Sequence, residues 1–203
     1  MLGAAAVVGA AGWQMPALGR VLGSATPETA PPPTPRLTDG PFYPATFTPA
    51  PTASLIAGPL QAPARLLQLA GRVVDRSGRP IEGARVEIWQ CDANRRYHHP
   101  ADGPAAGRDS GFLGHGWQPS RADGRYAFET IRPVAYPGRT PHIHVKVKVD
   151  GRAVLSSQIF MPDEADANAR DFLWRALGAG QPLALATLEG GHRETARFDI
   201  VLG

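Results

Sequence analysis

The chain of 203 residues has only one cysteine, Cys91, and only two lysines, Lys146 and Lys148. A single cysteine excludes an intrachain disulfide and a zinc site built from several thiolates, whatever the cellular compartment. We expect Cys91 to be a packed thiol at a strand end. The net charge of +3 comes from scattered arginines without a clustered stripe, which argues against nucleic acid as a partner.

Long hydrophobic runs are also scarce, and the most apolar stretch lies at the N-terminus. Residues 1–23 are rich in Ala, Gly and Val, carry no charge before Arg20 and are too short and glycine-rich to predict a stable membrane span. They are typical of the apolar part of an export signal without its basic start, so we favour a periplasmic over a cytoplasmic location. Residues 24–37 are rich in Pro and Thr and predict an extended linker, which places the folded domain at 38–203.

The remaining sequence predicts short strands separated by many turns. The whole chain contains 21 prolines and 23 glycines, and several segments of the remaining sequence alternate Val or Ile with polar residues. We therefore expect one domain, an all-β sandwich with long loops, one short C-terminal helix and Tyr126 in its core. The expected strands are 66–74 and 84–90, paired like a hairpin, then 123–131, 142–149, 153–160 and 194–202, and the expected helix is 166–177.

Residues 136–144, with the sequence Tyr-Pro-Gly-Arg-Thr-Pro-His-Ile-His, combine three potential metal ligands with an arginine. Polar and apolar residues alternate from His142 onward, so a strand would place His142 and His144 on one face, about 7 Å apart at Cβ. Both imidazoles can then converge on one ion. Tyr97 lies on a long loop that can reach them, and is the candidate fourth ligand.

A set of two tyrosines and two histidines favours a ferric ion. A phenol has a pKa of about 10, so it binds as a phenolate only where a strongly Lewis-acidic cation supplies the compensating charge. Zinc more often recruits Cys, His or carboxylate ligands, and ferrous oxygenases prefer two His and one carboxylate. No carboxylate stands beside these histidines in the sequence.

Longer motifs are spread over the whole predicted domain. They are Gly40-Pro-Phe-Tyr43, Trp89-Gln-x-Asp-Ala-Asn-x-x-Tyr97, Asp123-Gly-x-Tyr-x-Phe-x-Thr-Ile-x-Pro133, Tyr136-Pro137, Arg139-x-Pro-His-Ile-His144 and Phe198-Asp-Ile-Val-Leu202. Together they resemble the intradiol ring-cleavage dioxygenases, and especially the protocatechuate dioxygenase branch. Residues 71–89 also resemble the opening of prealbumin-like modules, so the resemblance implies a prealbumin-like or mixed β-sandwich.

The resemblance implies a mononuclear non-haem Fe(III) that is bound by Tyr97, Tyr136, His142 and His144. It implies intradiol cleavage of a catechol-type diol with O₂ to a cis,cis-muconate, with Tyr136 leaving the metal and taking a substrate proton. In the same way it places Arg139 over the substrate as a catalytic residue, and Gln158 in the pocket wall. Tyr43 would line the pocket mouth or pack at its rim.

The resemblance leaves the substrate and the assembly open. Catechol, protocatechuate, hydroxyquinol and bulkier aryl diols all chelate through two oxygens, and a carboxylated ring would need a distal cation. A homo-oligomer is compatible with the sequence, although the helical N-terminal segment that catechol-type relatives use for dimerisation is absent. The candidates for the distal cation are Arg95, Arg96, Arg121 and Arg132.

One departure from the family pattern concerns the loop that carries Tyr97. Arg95 and Arg96 stand where the family usually has a glycine, so a left-handed backbone conformation would be strained here or absent. His98 and His99 follow the tyrosine, and we expect them to be exposed or to support the ligands. Two alternatives remain: a non-catalytic prealbumin-like module, and a zinc or copper protein that uses the histidines without either tyrosine.

Overall fold

The computed structural model describes residues 30–190 and 194–203 and shows two β-sheets packed face to face. One sheet has the order β4-β1-β8-β7, with β9 also paired to β1, and the other has the order β3-β2-β5-β6. The predicted all-β sandwich is confirmed. The strands are β1 (Leu66–Asp75), β2 (Arg85–Trp89), β3 (His115–Pro119), β4 (Arg125–Ile131), β5 (His142–Val149), β6 (Arg152–Phe160), β7 (Thr187–Glu189), β8 (Glu194–Arg197) and β9 (Ile200–Leu202).

The core lies between the two sheets and is formed by the apolar half of each strand's alternation. Leu67 and Leu69 of β1 face Val86, Ile88 and Val145 of the other sheet within one cluster of buried residues. Each strand places alternate side chains on opposite faces, so the same alternation sends His142 and His144 to the outer face of the β3-β2-β5-β6 sheet. The candidate site is therefore outside the sandwich core.

The predicted hairpin between the first two strands is wrong, because β1 and β2 belong to different sheets. β1 pairs with β4, β8 and β9, and β2 pairs with β3 and β5, so neither strand has an edge left for the other. After the turn at 75–80, the Gly83 amide donates to the carbonyl of Ser120, and this bond directs the chain to the second sheet.

The predicted single helix at 166–177 is broken in two, α1 (Ala165–Arg170) and α2 (Phe172–Ala176). Asp171 between them is extended, and its carboxylate accepts hydrogen bonds from the amides of Leu173 and Trp174 as the N-cap of α2. Trp174 packs on Phe160, whereas Phe172 is 57% exposed. Two short 3₁₀ turns, Pro100–Asp102 and Gly178–Ala184, complete the helical elements of the described residues.

The predicted last strand, 194–202, is also divided, into β8 and β9. Asp199 lies at the break, where its carboxylate accepts a hydrogen bond from the Arg72 amide. The Phe198 carbonyl accepts from the Tyr126 hydroxyl at 2.6 Å and approaches β1 so closely that a Cβ on Gly71 would lie 1.9 Å from it. Tyr126 is buried, as predicted, and glycine is required at position 71.

The N-terminal predictions are only partly covered by the described residues. Residues 1–29, with the predicted export segment, lie outside them. Residues 30–37 contain no helix or strand, but the Thr34 amide donates to Val201 and the Leu37 amide donates to Ser156. Within 30–190 and 194–203, no helix has the length and hydrophobicity needed to cross a membrane.

Candidate functional site

The predicted ligands converge on the outer face of the β3-β2-β5-β6 sheet. His144 lies in register between Trp89 of β2 and Gln158 of β6, so these side chains form one row across three strands. His142 begins β5 opposite Phe160. Tyr97 and Tyr136 come from the two loops that cover this face, and their rings lie 5.4 Å apart in an edge-to-face contact.

The two histidines present their Nε2 atoms to each other at 3.2 Å. Two imidazole nitrogens that bind one ion at about 2.1 Å each would lie about 3.0 to 3.4 Å apart for angles between a right angle and tetrahedral. His142 Nδ1 lies 2.7 Å from the carbonyl oxygen of Thr140, which fixes its proton on Nδ1 and leaves the Nε2 lone pair free. Their geometry fits ligation of a shared metal ion.

Burial keeps both imidazoles neutral. It lowers the pKa of His142 to about 3, with a smaller contribution from the positive charge of Arg139. It also holds the pKa of His144 well below its usual range, with further lowering from His142. His144 Nδ1 has no hydrogen-bond partner among the described residues, and its ring is instead stacked on Trp89 at 4.7 Å.

Tyr97 gives the strongest indication that this cluster can bind a metal ion. Its side chain is 2% exposed, and its hydroxyl makes no hydrogen bond of normal geometry among the described residues, although it lies near enough to the Tyr136 hydroxyl for each to affect the pKa of the other. An unpaired buried hydroxyl destabilises a fold by about 1–3 kcal/mol. Burial also raises the pKa of Tyr97 well above its usual value, so ionisation requires a nearby cation. A ferric ion would satisfy both the orphaned oxygen and the charge.

Tyr136 differs from Tyr97 in exposure and in hydrogen bonding. It is partly buried, and its hydroxyl oxygen accepts a hydrogen bond from Arg139 Nη1 at 3.3 Å. Burial raises the pKa of Tyr136, while the guanidinium of Arg139 works in the opposite direction. Two phenols and two neutral imidazoles within one cluster are donors that fit a ferric ion.

Of the two predicted outcomes for the loop that carries Tyr97, a strained or an absent left-handed conformation, the structure shows the strained one. Arg95 has φ of 66°, a conformation that costs a non-glycine residue about 1–2 kcal/mol. The buried carboxylate of Asp92 holds this turn by accepting three backbone amides at 2.8 to 2.9 Å. Asp102 accepts the amide of Tyr97 itself at 2.8 Å. These two carboxylates, which the sequence analysis did not identify, hold the first tyrosine in place.

His98 and His99 support the same loop. His98 Nε2 lies 3.3 Å from the carboxylate of Asp92, and hydrogen bonds from this histidine and from backbone amides lower the pKa of Asp92 against the effect of burial. His99 Nδ1 accepts the amide of Ala101 and caps a 3₁₀ turn.

Residues 30–190 and 194–203 contain no group of three or more His, Cys, Asp or Glu side chains arranged to hold a metal.

Arg139 is held on three sides. Its Nε donates to Asp171 at 2.7 Å, its Nη1 donates to Tyr136, and its Nη2 donates to Gln158 Oε1. Asp171 is buried, and the Arg139 guanidinium and backbone amides lower its pKa against the effect of burial. The predicted helix at 166–177 includes Asp171 as an interior residue, so its role was missed. The Asp-Phe step before a short amphipathic segment is the capping signal that would have revealed it.

Gln158 and Tyr43, the other predicted substrate contacts, have different surroundings. Gln158 is fully buried beside Arg139, and its Nε2 lies 3.5 Å from the carbonyl of Thr38. Tyr43 packs edge-on against Trp89, and its hydroxyl donates to Glu87 at 2.7 Å. The contacts of Tyr43 are therefore those of rim packing.

Two of the four predicted distal cations are engaged in ion pairs. Arg132 pairs with Asp163 and Glu194, and Arg96 pairs with Asp102. A cavity of about 280 Å³ adjoins Arg139 instead, with one further arginine in its wall. Its lining is Ala135, Gly138, Arg139, Thr140, Ala167, Arg170 and Asp171.

Sequence comparisons agree with this arrangement. A family model described as Dioxygenase matches residues 38–202. The chain is 37% identical to the protocatechuate 3,4-dioxygenase beta chain of Burkholderia cepacia over 147 residues, 66% of this chain and 63% of that protein. It is 31% identical to the hydroxyquinol 1,2-dioxygenase of Rhodococcus opacus over 164 residues, 66% of this chain and 52% of that protein. The chain thus spans between half and two thirds of the length of these relatives.

Solved structures extend the likeness to the fold. The dioxygenase domain of a dioxygenase carbohydrate-binding protein fusion from Streptomyces sp. SirexAA-E matches with a TM-score of 0.68 and 32% identity, over 84% of this chain and 98% of that chain. The intradiol ring-cleavage dioxygenase from Tetranychus urticae matches with a TM-score of 0.71 over 85% of this chain and 94% of that chain; at 21% identity it shows the fold alone. The family model matches most of the chain, and the sequence and structure comparisons each include a relative that is more than 30% identical. The chain therefore belongs to the intradiol ring-cleavage dioxygenase family.

Proposed function

We propose that this chain is a non-haem Fe(III) dioxygenase that cleaves a catechol-type diol between its two hydroxylated carbons, with O₂ as co-substrate. The product would be a cis,cis-muconate-type diacid. The observation that supports the proposal most strongly is the buried Tyr97 hydroxyl, which makes no hydrogen bond of normal geometry among the described residues, on a ring that lies 6.0 Å from the neutral imidazole of His144.

The proposed ligands are Tyr97, Tyr136, His142 and His144. A ferric ion, when bound there, would bind the diol through both oxygens and make its ring reactive toward O₂. The protein holds the donors in place beforehand, because His142 is fixed by its bond to Thr140 and His144 by its stacking on Trp89. Such preorganised donors need little rearrangement when the metal binds.

The two tyrosines are suited to different tasks. Tyr97 is fully buried, so it is the phenol proposed to stay in place throughout turnover. Tyr136 is partly buried, and Arg139 already donates to its oxygen, so its phenolate oxygen can take up a proton as the diol binds. The acceptor would then be Tyr136 Oη, which serves as a general base.

Arg139 and Gln158 form the proposed wall against which the ring reacts. The Arg139 guanidinium supplies a positive charge, and Asp171 and Gln158 fix its direction. A fixed cation stabilises negative charge that develops on the substrate. The cavity of about 280 Å³ beside Arg139 offers room for a ring substituent, and Arg170 in its wall favours an acidic one.

Oxygen uptake with a panel of diols tests this function. Iron-loaded protein should consume one O₂ per catechol, protocatechuate or hydroxyquinol turned over, and mass spectrometry should find both oxygen atoms of ¹⁸O₂ in an acyclic diacid. The Tyr97→Phe protein is the matched control, because it keeps the ring that packs on Phe42. An iron-loaded wild-type protein that consumes no O₂ with any of these diols would overturn the proposal.

A further inference from the structure

A strap of residues 34–43 crosses the outer face of the β3-β2-β5-β6 sheet without forming a strand. Its first part is tied down by backbone bonds, from the Thr34 amide to Val201 at 3.0 Å and from the Leu37 amide to Ser156 at 2.9 Å. Ser157 also donates its hydroxyl to the carbonyl of Pro35 at 2.6 Å. Beyond Leu37, Gly40 has the only backbone amide of the described strap with a hydrogen-bond partner, and it donates to the Thr38 hydroxyl within the strap itself.

This second part of the strap lies directly against the candidate metal centre. Gly40 has φ of +71°, and a Cβ placed on it would lie 3.4 Å from Cε1 of His144. Phe42 stacks on the ring of Tyr97 at 4.6 Å. Two of the four proposed ligands therefore have the strap as a neighbour.

The two histidines depend on the strap to different degrees. His142 is oriented by a hydrogen bond from Nδ1 to Thr140. His144 has no such bond among the described residues, and its ring is held by Trp89 on one face and by Gly40 near its Cε1 edge. Metal-bound histidines usually have their second nitrogen hydrogen-bonded. For His144, packing by the strap and by Trp89 has to replace that bond.

Charged side chains, of which Glu87 is fully buried and the others are partly exposed, fasten this part of the strap to the sheet. Lys146 pairs with Asp39 of the strap, and its ammonium lies 3.9 Å from the centre of the Tyr43 ring. Glu87 is fully buried and accepts from the hydroxyl of Tyr43 at 2.7 Å and from Lys148 at 3.0 Å. The carboxylate of Glu87 also accepts from Arg85 at 2.6 Å.

The chain's only two lysines thus follow His142 and His144 on the same strand face, and both reach this cluster. The core of the sandwich lies on the other face and does not need them. Charges removed from water are tolerated only when they are paired, so losing one partner leaves the others uncompensated.

We propose that Lys146, Lys148 and Glu87 are positioning residues for the metal centre, which act by holding the strap against His144 and Tyr97. The proposal rests on the proposed function and adds to it three residues that contact neither metal nor substrate. Loss of one of them should loosen the strap while the sandwich stays folded, and should change the environment of the phenolate and imidazole ligands.

The test compares Lys146→Met with Arg125→Met, which removes a cation from an exposed pair with Asp123 on the opposite sheet. Hydrogen exchange of the iron-free proteins is read at the Leu37 amide and at the amides of β1. The Leu37 amide should exchange about tenfold faster in Lys146→Met alone, while β1 is unchanged in both. In the iron-loaded proteins, Lys146→Met should shift the phenolate-to-iron absorption band and lower kcat about tenfold with a smaller change in KM.

Unchanged Leu37 exchange in Lys146→Met would overturn the proposal, and so would a loosened strap with an unshifted band and normal kcat. If Lys146→Met does not fold, Tyr43→Phe takes its place, because it keeps the ring on Trp89 and removes only the hydroxyl that bonds to Glu87 and Lys148. A wild-type protein that binds no iron would count against the proposed function, whereas the exchange measurement on iron-free protein would still decide whether the cluster holds the strap.

Discussion

The two faces of the β3-β2-β5-β6 sheet are both buried, but by different means. On the inner face Ile88, Val145 and Ile159 are fully buried against the second sheet. On the outer face Glu87, His144 and Gln158 are equally inaccessible, because the strap and the loop of Tyr97 cover them. The inner face is held by apolar packing and the outer face by hydrogen bonds, ion pairs and ring contacts. Folding and function are thus assigned to opposite sides of the same strands.

A change to the outer face should affect chemistry far more than stability. Arg139→Ala removes the cation beside Tyr136 and Gln158 and should lower kcat by about 10²–10³-fold while iron is retained, since fixed charge is worth that much in an active site. Iron content and steady-state kinetics measure both quantities. Normal turnover in this variant would contradict the role of Arg139.

The inner face should show the opposite behaviour. Ile88→Ala leaves a cavity between the sheets and should lower the free energy of unfolding by about 2–5 kcal/mol. Iron bound per folded molecule and kcat should stay near their wild-type values, because Ile88 points away from the site. Denaturant unfolding with iron analysis of the folded fraction checks this. A loss of iron at full folding would show that the two faces are coupled.

Asp171→Asn tests whether Asp171, on the outer face, acts by holding Arg139 in position. Asparagine keeps one acceptor for the cap of α2 but loses the charge and one acceptor that hold Arg139 and Thr140. We expect kcat to fall about tenfold, less than in Arg139→Ala, because the guanidinium remains but is less well fixed. Kinetics of the two single variants and the double variant should be non-additive. Additive losses would mean that Asp171 does not act through Arg139.

The smallest expected effect is a gain in stability. Arg95→Gly relieves the left-handed strain at φ of 66° and should raise the free energy of unfolding by about 0.5–1 kcal/mol, after the extra entropy of glycine in the unfolded chain is subtracted. Thermal unfolding measures it, with Arg95→Ala as the control that removes the same side chain but keeps the left-handed strain. A destabilised Arg95→Gly protein would show that the Arg95 side chain itself stabilises the loop.

The same comparison explains what could be predicted from the sequence. Alternation along β5 is a local property of the sequence. It therefore predicted which side chains face the core and that His142 and His144 lie on the opposite face. The motif pattern predicted Tyr97 and Tyr136 as further ligands, and the structure brings their rings next to the histidines. Sheet partners are chosen by non-local pairing, so the separation of β1 and β2 was missed. The bond of Asp171 to Arg139 and that of Glu87 to Tyr43 were missed because these partners lie 32 and 44 residues away in the sequence.

Visible absorption of the iron-loaded protein tests most directly whether Tyr97 and Tyr136 bind a ferric ion as phenolates. If both tyrosines bind the ion, the protein should be burgundy to red-brown. Its charge-transfer band should change when a catechol is added and should be altered in Tyr97→Phe. A colourless protein that holds no iron after iron supplementation would contradict it.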